Sequence, residues 1–293
     1  MADSPAAEHS LEEDGVRSLL RADAPHLADL PLTLVADGWD NAIWRLGDDL
    51  AVRVPRRELA VPLIAHEQRA LPEIGPRLAA AGVLTPVPVI AGRATATFPW
   101  PWSVIPWIEG THALGVARAA NSEWAPSLAS ALSALHVPAP ADAPRNPVRG
   151  VPLVSRDEAM RERLALTATP GSLVAAWEAG LKAPHVDRST WIHGDLHPGN
   201  ILLRNGGLAA LIDFGDVSAG DPACDLAAGW LLFDDAGRHR FRSATGSRYD
   251  DATWVRARAW AAYFALMFLT LSDDRPAHRA LGVSTVAELT SAD

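Results

Sequence analysis

Lysine is nearly absent from this chain: Lys182 stands alone against 25 arginines. Any mechanism built on an active-site lysine must use that residue or do without one. Lys182 lies outside any Gly-Lys-Ser/Thr setting, which excludes a Walker-type phosphate loop. Cysteine is as scarce. Cys224 is the only one, so an internal disulfide and a Cys-based metal site are both excluded. The longest apolar run, residues 260–271, is too short to span a bilayer. Residues 1–14 are polar and acidic and contain no apolar signal core. No repeat of 20–50 residues is visible. Basic residues are outnumbered 26 to 35, a net charge of −9, which argues against a nucleic-acid binder with a broad basic face. The expectation is a soluble cytoplasmic protein, monomer or homodimer, with neither a membrane nor a nucleic acid as partner.

What is present fits a folded chain. Of 293 residues, 48% are hydrophobic and 21% charged, enough apolar mass for a core, and the length suggests two units. Ser10 and Glu13 stand in the S-x-x-E relation of a capping box and predict a helix running to about Asp29. Residues 33–54 read as two or three antiparallel strands joined by turns at Asp37-Gly38 and Gly47-Asp48-Asp49. A helix is predicted over residues 62–71, with Pro62 in its first turn. Residues 84–106 read as strand, turn at Ala91-Gly92-Arg93, and strand. Beyond Pro106 the spacing turns helical, over residues 124–136, 156–166, 173–181, 222–233 and 253–271. The Pro-rich stretch 139–152 reads as a surface loop. Two units are therefore expected: a small β-rich lobe over residues 1–105 and a larger, mainly helical lobe over 106–293, an α+β fold.

The segment that carries chemistry is His193-Gly194-Asp195-Leu196-His197-Pro198-Gly199-Asn200, followed by Leu211-Ile212-Asp213-Phe214-Gly215-Asp216. Asn200 follows Asp195 by five residues, and Asp213 follows Asn200 by thirteen. A carboxylate, an amide and a second carboxylate brought together by a loop and a hairpin suit phosphoryl transfer. One carboxylate takes the proton of an incoming hydroxyl, while the amide and the other carboxylate hold Mg²⁺ on the triphosphate.

His-Gly-Asp-Leu-His-x-x-Asn with a downstream Ile-Asp-Phe resembles the aminoglycoside phosphotransferases and their macrolide phosphotransferase relatives. These antibiotic kinases share a bilobal protein-kinase-like fold with choline kinase. The resemblance covers nearly the whole chain, and motif order and both spacings agree. It implies an enzyme that moves the γ-phosphate of ATP or GTP to a hydroxyl of a small molecule, most simply an antibiotic, with Mg²⁺. It further implies Asp195 as the catalytic residue and Asn200 and Asp213 as metal ligands. His193 would brace the loop, and Asp225 would hydrogen-bond the loop backbone. Asp221, before Pro222, reads instead as a helix cap.

The phosphate-holding strand offers Arg53 in Val52-Arg53-Val54-Pro55-Arg56-Arg57, where a protein kinase has lysine, and Glu67 is its helix partner. Arginine also stands at this place in the macrolide kinases. It grips phosphate with a different geometry from lysine. No G-x-G-x-x-G lies between the first strands; the turn around Gly38 takes its place. Residues 103–108 would form the hinge, with Val104 and Ile105 as candidate backbone contacts for a purine.

The tryptophans divide. Trp191, Trp230 and Trp254 read as core, whereas Trp39, Trp100 and Trp102, in turns and Pro-rich context, are candidates to line the cleft. Trp254, Trp260, Tyr263, Phe264 and Phe268 recur at helical spacing, as a core stripe or an acceptor wall. Asp216, Asp221, Asp234, Asp235, Asp250 and Asp251 are candidates to meet the ammonium groups of an aminoglycoside, although Asp234-Asp235 reads first as a solvated turn. Three further readings remain: a small-metabolite kinase of the same fold, a non-catalytic kinase-fold binder, and a metal-dependent hydrolase using His193-x-Asp195-x-His197.

Overall fold

The computed structural model describes residues 6–168, 170–185 and 189–291. The first five residues of the acidic leading stretch lie outside it. The α+β expectation holds, with a β-rich first part and a helical second part.

Helix α1 (Glu13–Asp23) opens the chain. Its predicted capping box does not form; Glu12 occupies the cap position with no side-chain bond. The reason lies upstream. The N–H groups of Glu8 and His9 donate to Arg56 O at 2.8 and 3.2 Å, which docks the chain on the sheet before Ser10 can turn back. Strands β1 (Leu32–Asp37), β2 (Asn41–Leu46) and β3 (Leu50–Pro55) follow as expected. With β4 (Ile90–Gly92) and β5 (Trp102–Pro106) they form an antiparallel sheet of order β1-β2-β3-β5-β4. Arg53 on β3 pairs with Ser103 on β5. Trp44, Trp102, Phe98 and Val104 fill the core beneath this sheet. Trp102 is thus core, not cleft, and Trp100 packs edge-on against Phe98 and His9.

Helix α2 (Val61–Ala80) is twice the predicted length and runs through Pro72 and Pro76. Both prolines face solvent, one turn apart. There a missing N–H and a slight opening of the helix meet water, while Ile64, Ala70, Leu71, Ile74 and Leu78 stay buried on the opposite face. The second half of α2 packs into the larger core, not the small one. The link after it also crosses over: Leu84 N–H donates to Ala209 O at 2.9 Å, and Leu211 N–H donates to Leu84 O at 3.0 Å.

The larger part begins with β6 (Thr111–His112), α3 (Arg118–Asn121) and α4 (Ala125–Leu135), then α5 (Asp157–Leu166) and α6 (Gly171–Lys182). Strands β7 (Thr190–Ile192), β8 (Ile201–Arg204), β9 (Gly207–Leu211) and β10 (Ser218–Gly220) make two small sheets, β10-β7 and β6-β8-β9. Helices α7 (Ala223–Leu226), α8 (Ala228–Leu232), α9 (Asp235–Ala244), α10 (Asp251–Thr270) and α11 (Pro276–Ser291) complete it. Helix α10 is buried on nearly every side, which explains why its aromatic stripe is mostly core: Trp254, Trp260, Tyr263 and Phe264 are all buried. Asp250 caps α10 by accepting from Thr253 N–H at 2.8 Å. Asp234 is likewise a cap, accepting from Gly237 N–H at 2.8 Å, so Asp234-Asp235 opens the unpredicted α9 and is not a loop turn.

One buried carboxylate ties this helical body to the loop after β7. Asp225 accepts from His193 N–H at 2.7 Å and Gly194 N–H at 2.9 Å, and its Oδ2 lies 3.0 Å from His136 Nε2. Burial disfavours its charge, but the hydrogen bond and charge of His136, then His193, hold the carboxyl below its ordinary 3.8. Replacing Asp225 by alanine leaves buried donors unpaired and should cost about 3 kcal/mol of unfolding free energy in a denaturant titration. A carboxyl depressed in the native state contributes stability that is present above its unfolded value and lost as pH falls through its native one. The stability gap between the wild type and Asp225→Asn should therefore stay constant near neutrality and shrink below about pH 3.8.

Candidate active site

The loop between β7 and β8 must leave one sheet and enter another while still satisfying its backbone. His193 does much of this. Its Nε2 donates to Ile212 O at 3.0 Å, its Nδ1 accepts from Asp195 N–H at 3.3 Å, and its ring packs on Phe214. Both ring nitrogens are spent inside the protein, so the metal-ligand cluster His193-x-Asp195-x-His197 does not form. Gly194 has φ +85°, and a Cβ there would lie 2.5 Å from Asp216 O, so only glycine fits.

These constraints aim Asp195 into a cleft of about 790 Å³ that also takes Asn200, Asp213 and Asp216 in its walls. Asn200 donates from Nδ2 to Asp195 O at 2.9 Å and lies 3.4 Å from Asp195 Oδ2. That orientation leaves its amide oxygen for a cation. Asp213 adopts φ +59°, a left-handed conformation that Asp tolerates better than most residues, just past the end of β9. Its side chain is 55% exposed to the cleft. Two oxygen donors from the loop and the hairpin end make a hard-ligand set that fits Mg²⁺.

Arg53 and Glu67 come together as the sequence predicts, but as a buried pair. Arg53 NH1 lies 2.8 Å from Glu67 Oε1, and NH2 lies 2.7 Å from Asp213 Oδ1. Burial pushes the Glu67 carboxyl up to about 7 against the pull of Arg53. Arg53 itself is pushed up: burial works against its charge, and Glu67 and Asp213 outweigh it. Gln68 fixes α2 to β5 by donating to Trp102 O at 2.8 Å and Ser103 Oγ at 3.0 Å. Val104 and Ile105 are placed differently from the expectation. Val104 is buried and its carbonyl accepts Val89 N–H at 2.8 Å, while Ile105 pairs with Ala51 across β3. Their backbone is taken up by the sheet. The chain leaves it at Pro106, and Trp107 N–H goes to Asp49 O.

The residue that sequence reasoning missed is Arg149. It lies in the Pro-rich stretch read as surface, yet its side chain is only 12% exposed. Its NH2 is 3.1 Å from Asp195 Oδ1 and its Nε 3.9 Å from Asp216 Oδ2. Asn146 shapes this loop: its Oδ1 accepts the N–H of Val148 and Arg149, and its Nδ2 donates to Asp216 Oδ1 at 2.6 Å. An Asn-Pro followed by Arg-Gly was the available signal. His197 completes the surroundings. Its Nδ1 accepts Gly199 N–H, which directs Nε2 toward Asp195 Oδ2 at 3.5 Å. Burial would raise the Asp195 carboxyl, but the charge of Arg149, then His197, holds it well below the usual range.

Other expectations are corrected by position. Of the candidate tryptophans only Trp39 lines the cleft. Of the α10 aromatics only Phe268 reaches it, joined by Met267 and Leu271. Of the acidic candidates only Asp216 does. Asp221 lies off the cleft; Pro222, not Asp221, holds the cap position of α7, while Asp221 accepts Ala223 N–H at 3.1 Å and pairs with buried Arg256 at 2.7 Å. Among the described residues no helix is long and apolar enough to cross a membrane.

Comparison with known proteins agrees with this architecture. The GDP and kanamycin complex of APH(2″)-IIia superposes with a TM-score of 0.69 at 16% identity, over 95% of this chain and 99% of that one. A macrolide 2′-phosphotransferase type I gives 0.65 at 21% identity, over 96% and 99%. The streptomycin–ATP–APH(2″)-IIa ternary complex gives 0.59 at 16%, over 97% of each. At these identities the likeness is one of fold. No curated protein sequence matches the chain. Residues 31–260 match the family model described as the phosphotransferase enzyme family, and the chain belongs to that family.

Proposed function

We propose that the protein is a nucleoside-triphosphate-dependent O-phosphotransferase that moves the γ-phosphate to a hydroxyl of a small molecule, an aminoglycoside or macrolide antibiotic, and so confers resistance. The observation that carries this reading is the convergence of Asp195, Asn200 and Asp213 on one cleft, with the buried guanidinium of Arg53 beside them. Residues 1–105 hold the nucleotide, ATP or GTP, and residues 106–293 supply catalysis and the acceptor wall. The relatives that contain GDP, ATP, kanamycin and streptomycin support nucleotide and antibiotic as the two ligands. The protein would act in the cytoplasm, where the nucleotide is available, as a monomer or homodimer.

Asn200 and Asp213 would hold Mg²⁺, which when bound neutralises charge on the β- and γ-phosphates. Asp195 hydrogen-bonds the acceptor hydroxyl and holds it in line with the γ-phosphorus. The acceptor O–P bond forms as the bond from phosphorus to the β-γ bridging oxygen breaks, and the hydroxyl proton passes to Asp195. Kept ionised by Arg149, Asp195 is a weak base. It therefore orients the hydroxyl first and takes the proton late, which suits a loose transition state. Arg53, anchored by Glu67 and Asp213, lends its charge to the α- and β-phosphates. The purine docks at the hinge, within residues 103–108. The small-metabolite kinase differs from this reading only in its acceptor.

Asp195→Ala should cut kcat by about a thousandfold or more, with nucleotide affinity within about threefold of wild type by calorimetry. Wild-type turnover of a confirmed acceptor in that variant would remove Asp195 from the mechanism. Arg53→Ala should raise the nucleotide KM about tenfold or more, with Arg53→Lys between the two, since lysine keeps the charge but loses the bidentate fork. Stripping divalent cations with a chelator should abolish transfer, and added Mg²⁺ should restore it.

A further inference from the structure

The carboxylates on the cleft walls are already paired. Asp40 is bonded by Arg57 and Asp213 by Arg53. Asp195 and Asp216, the two that remain for an acceptor once nucleotide and metal are seated, share the single guanidinium of Arg149. That guanidinium is not a casual visitor. It lies 5.1 Å over the Phe264 ring, its NH1 and NH2 are each 3.7 Å from Met267 Sδ, and its backbone N–H is fixed by Asn146.

A second cation faces the same space. Arg275, in the turn between α10 and α11, stacks over Trp39 at 4.9 Å, so it spans the cleft from one lobe to the other. Among the described residues it has no carboxylate partner; Asp273 of the same turn pairs with Arg279, and Asp274 is not on the cleft wall. Nearby His278 is uncharged at neutral pH: burial, then His197 and Arg275, bring it down to about 4. Between these cations the wall is apolar, made by Met267, Phe268 and Leu271.

Kinase sites that take polycations must offer unpaired carboxylates, because each buried ammonium needs a partner. Here Asp40, Asp195, Asp213 and Asp216 each face an arginine. We infer that Arg149, aided by Arg275, is a charge filter that selects against polycationic acceptors and admits a hydroxyl compound with an apolar face and at most one positive charge. The inference rests on the phosphotransferase reading above. Arg149 acts through charge: it offsets one of the two negative charges an oligoamine would use, and like charges placed against it are repelled.

The test is a calorimetric comparison with the full-length protein, Mg²⁺ and a non-hydrolysable nucleotide. Kanamycin serves as the polycationic probe, and a macrolide with one amine as the monocationic one. Arg149→Gln and Arg275→Gln should each raise kanamycin affinity about tenfold relative to that of the macrolide. Arg149→Lys, which keeps the charge, should leave kanamycin weak. A merely structural Arg149 would instead weaken both probes in both of its variants and lower Tm. The filter is overturned if neither glutamine variant raises kanamycin affinity relative to that of the macrolide, or if the wild type already binds kanamycin more tightly than the macrolide. Titrating nucleotide in the same samples separates the two failures. A wild type that does not bind Mg-nucleotide overturns the phosphotransferase reading and the filter with it, whereas one that binds nucleotide yet prefers kanamycin overturns the filter alone.

Discussion

A guanidinium buried where two lobes meet must find an acceptor on each side, and Arg53 does. It takes Glu67 from α2 on one side and Asp213 from the end of the β8–β9 hairpin on the other. Removing such a charge from water is costly unless it is paired and hydrogen-bonded, so its position dictates theirs. Glu67 must lie on the inner face of α2, which Gln68 secures to β5. Asp213 must turn into the cleft, which its left-handed backbone permits. The same three residues therefore set how the sheet faces the helical body.

The loop between β7 and β8 is held by a second set of constraints that meets the first at Ile212. Asp225 takes the N–H groups of His193 and Gly194, and His193 passes a hydrogen bond on to the carbonyl just before Asp213. Asp195 and Asp213 are thus positioned through one short chain of bonds. Leu84 adds a third tie, since it lies beside β9 although it belongs to the link between α2 and β4. The lobes are distinct as cores, but the larger core extends into α2.

The sequence showed what is local and left unread what is tertiary. Asp195, Asn200 and Asp213 were legible because a loop and a hairpin fix their spacing, and the strands of the sheet because alternation and turn residues mark them. The length of α2 was not, because whether Pro72 and Pro76 break a helix depends on which way they face, and that is set by packing elsewhere. Trp102 was misplaced for the same reason: its Pro-rich neighbours suggest a loop, but a Cβ on the facing Gly92 would lie 2.1 Å from its indole ring, so the missing side chain makes its place in the core. Arg149 was hidden because a Pro-rich stretch carries no periodicity, and only the folded chain brings Asn146, Asp195 and Asp216 around it.

The scarcity of lysine has a physical sense in this arrangement. Arginines in the interior here each serve several acceptors at once. Arg256 takes both oxygens of Asp221 and the Thr253 hydroxyl; Arg118 takes the carbonyl of Trp230 and the hydroxyls of Ser284 and Thr285. Arg53 and Arg149 do the same at the site, each joining two carboxylates from different segments. A planar fork of five donors can bridge two groups set apart in a plane, whereas an ammonium is a compact point charge that must sit close to both. A cleft built on bridged carboxylates thus suits arginine better than lysine at position 53, and the arginine on β3 follows from the geometry of what it must join.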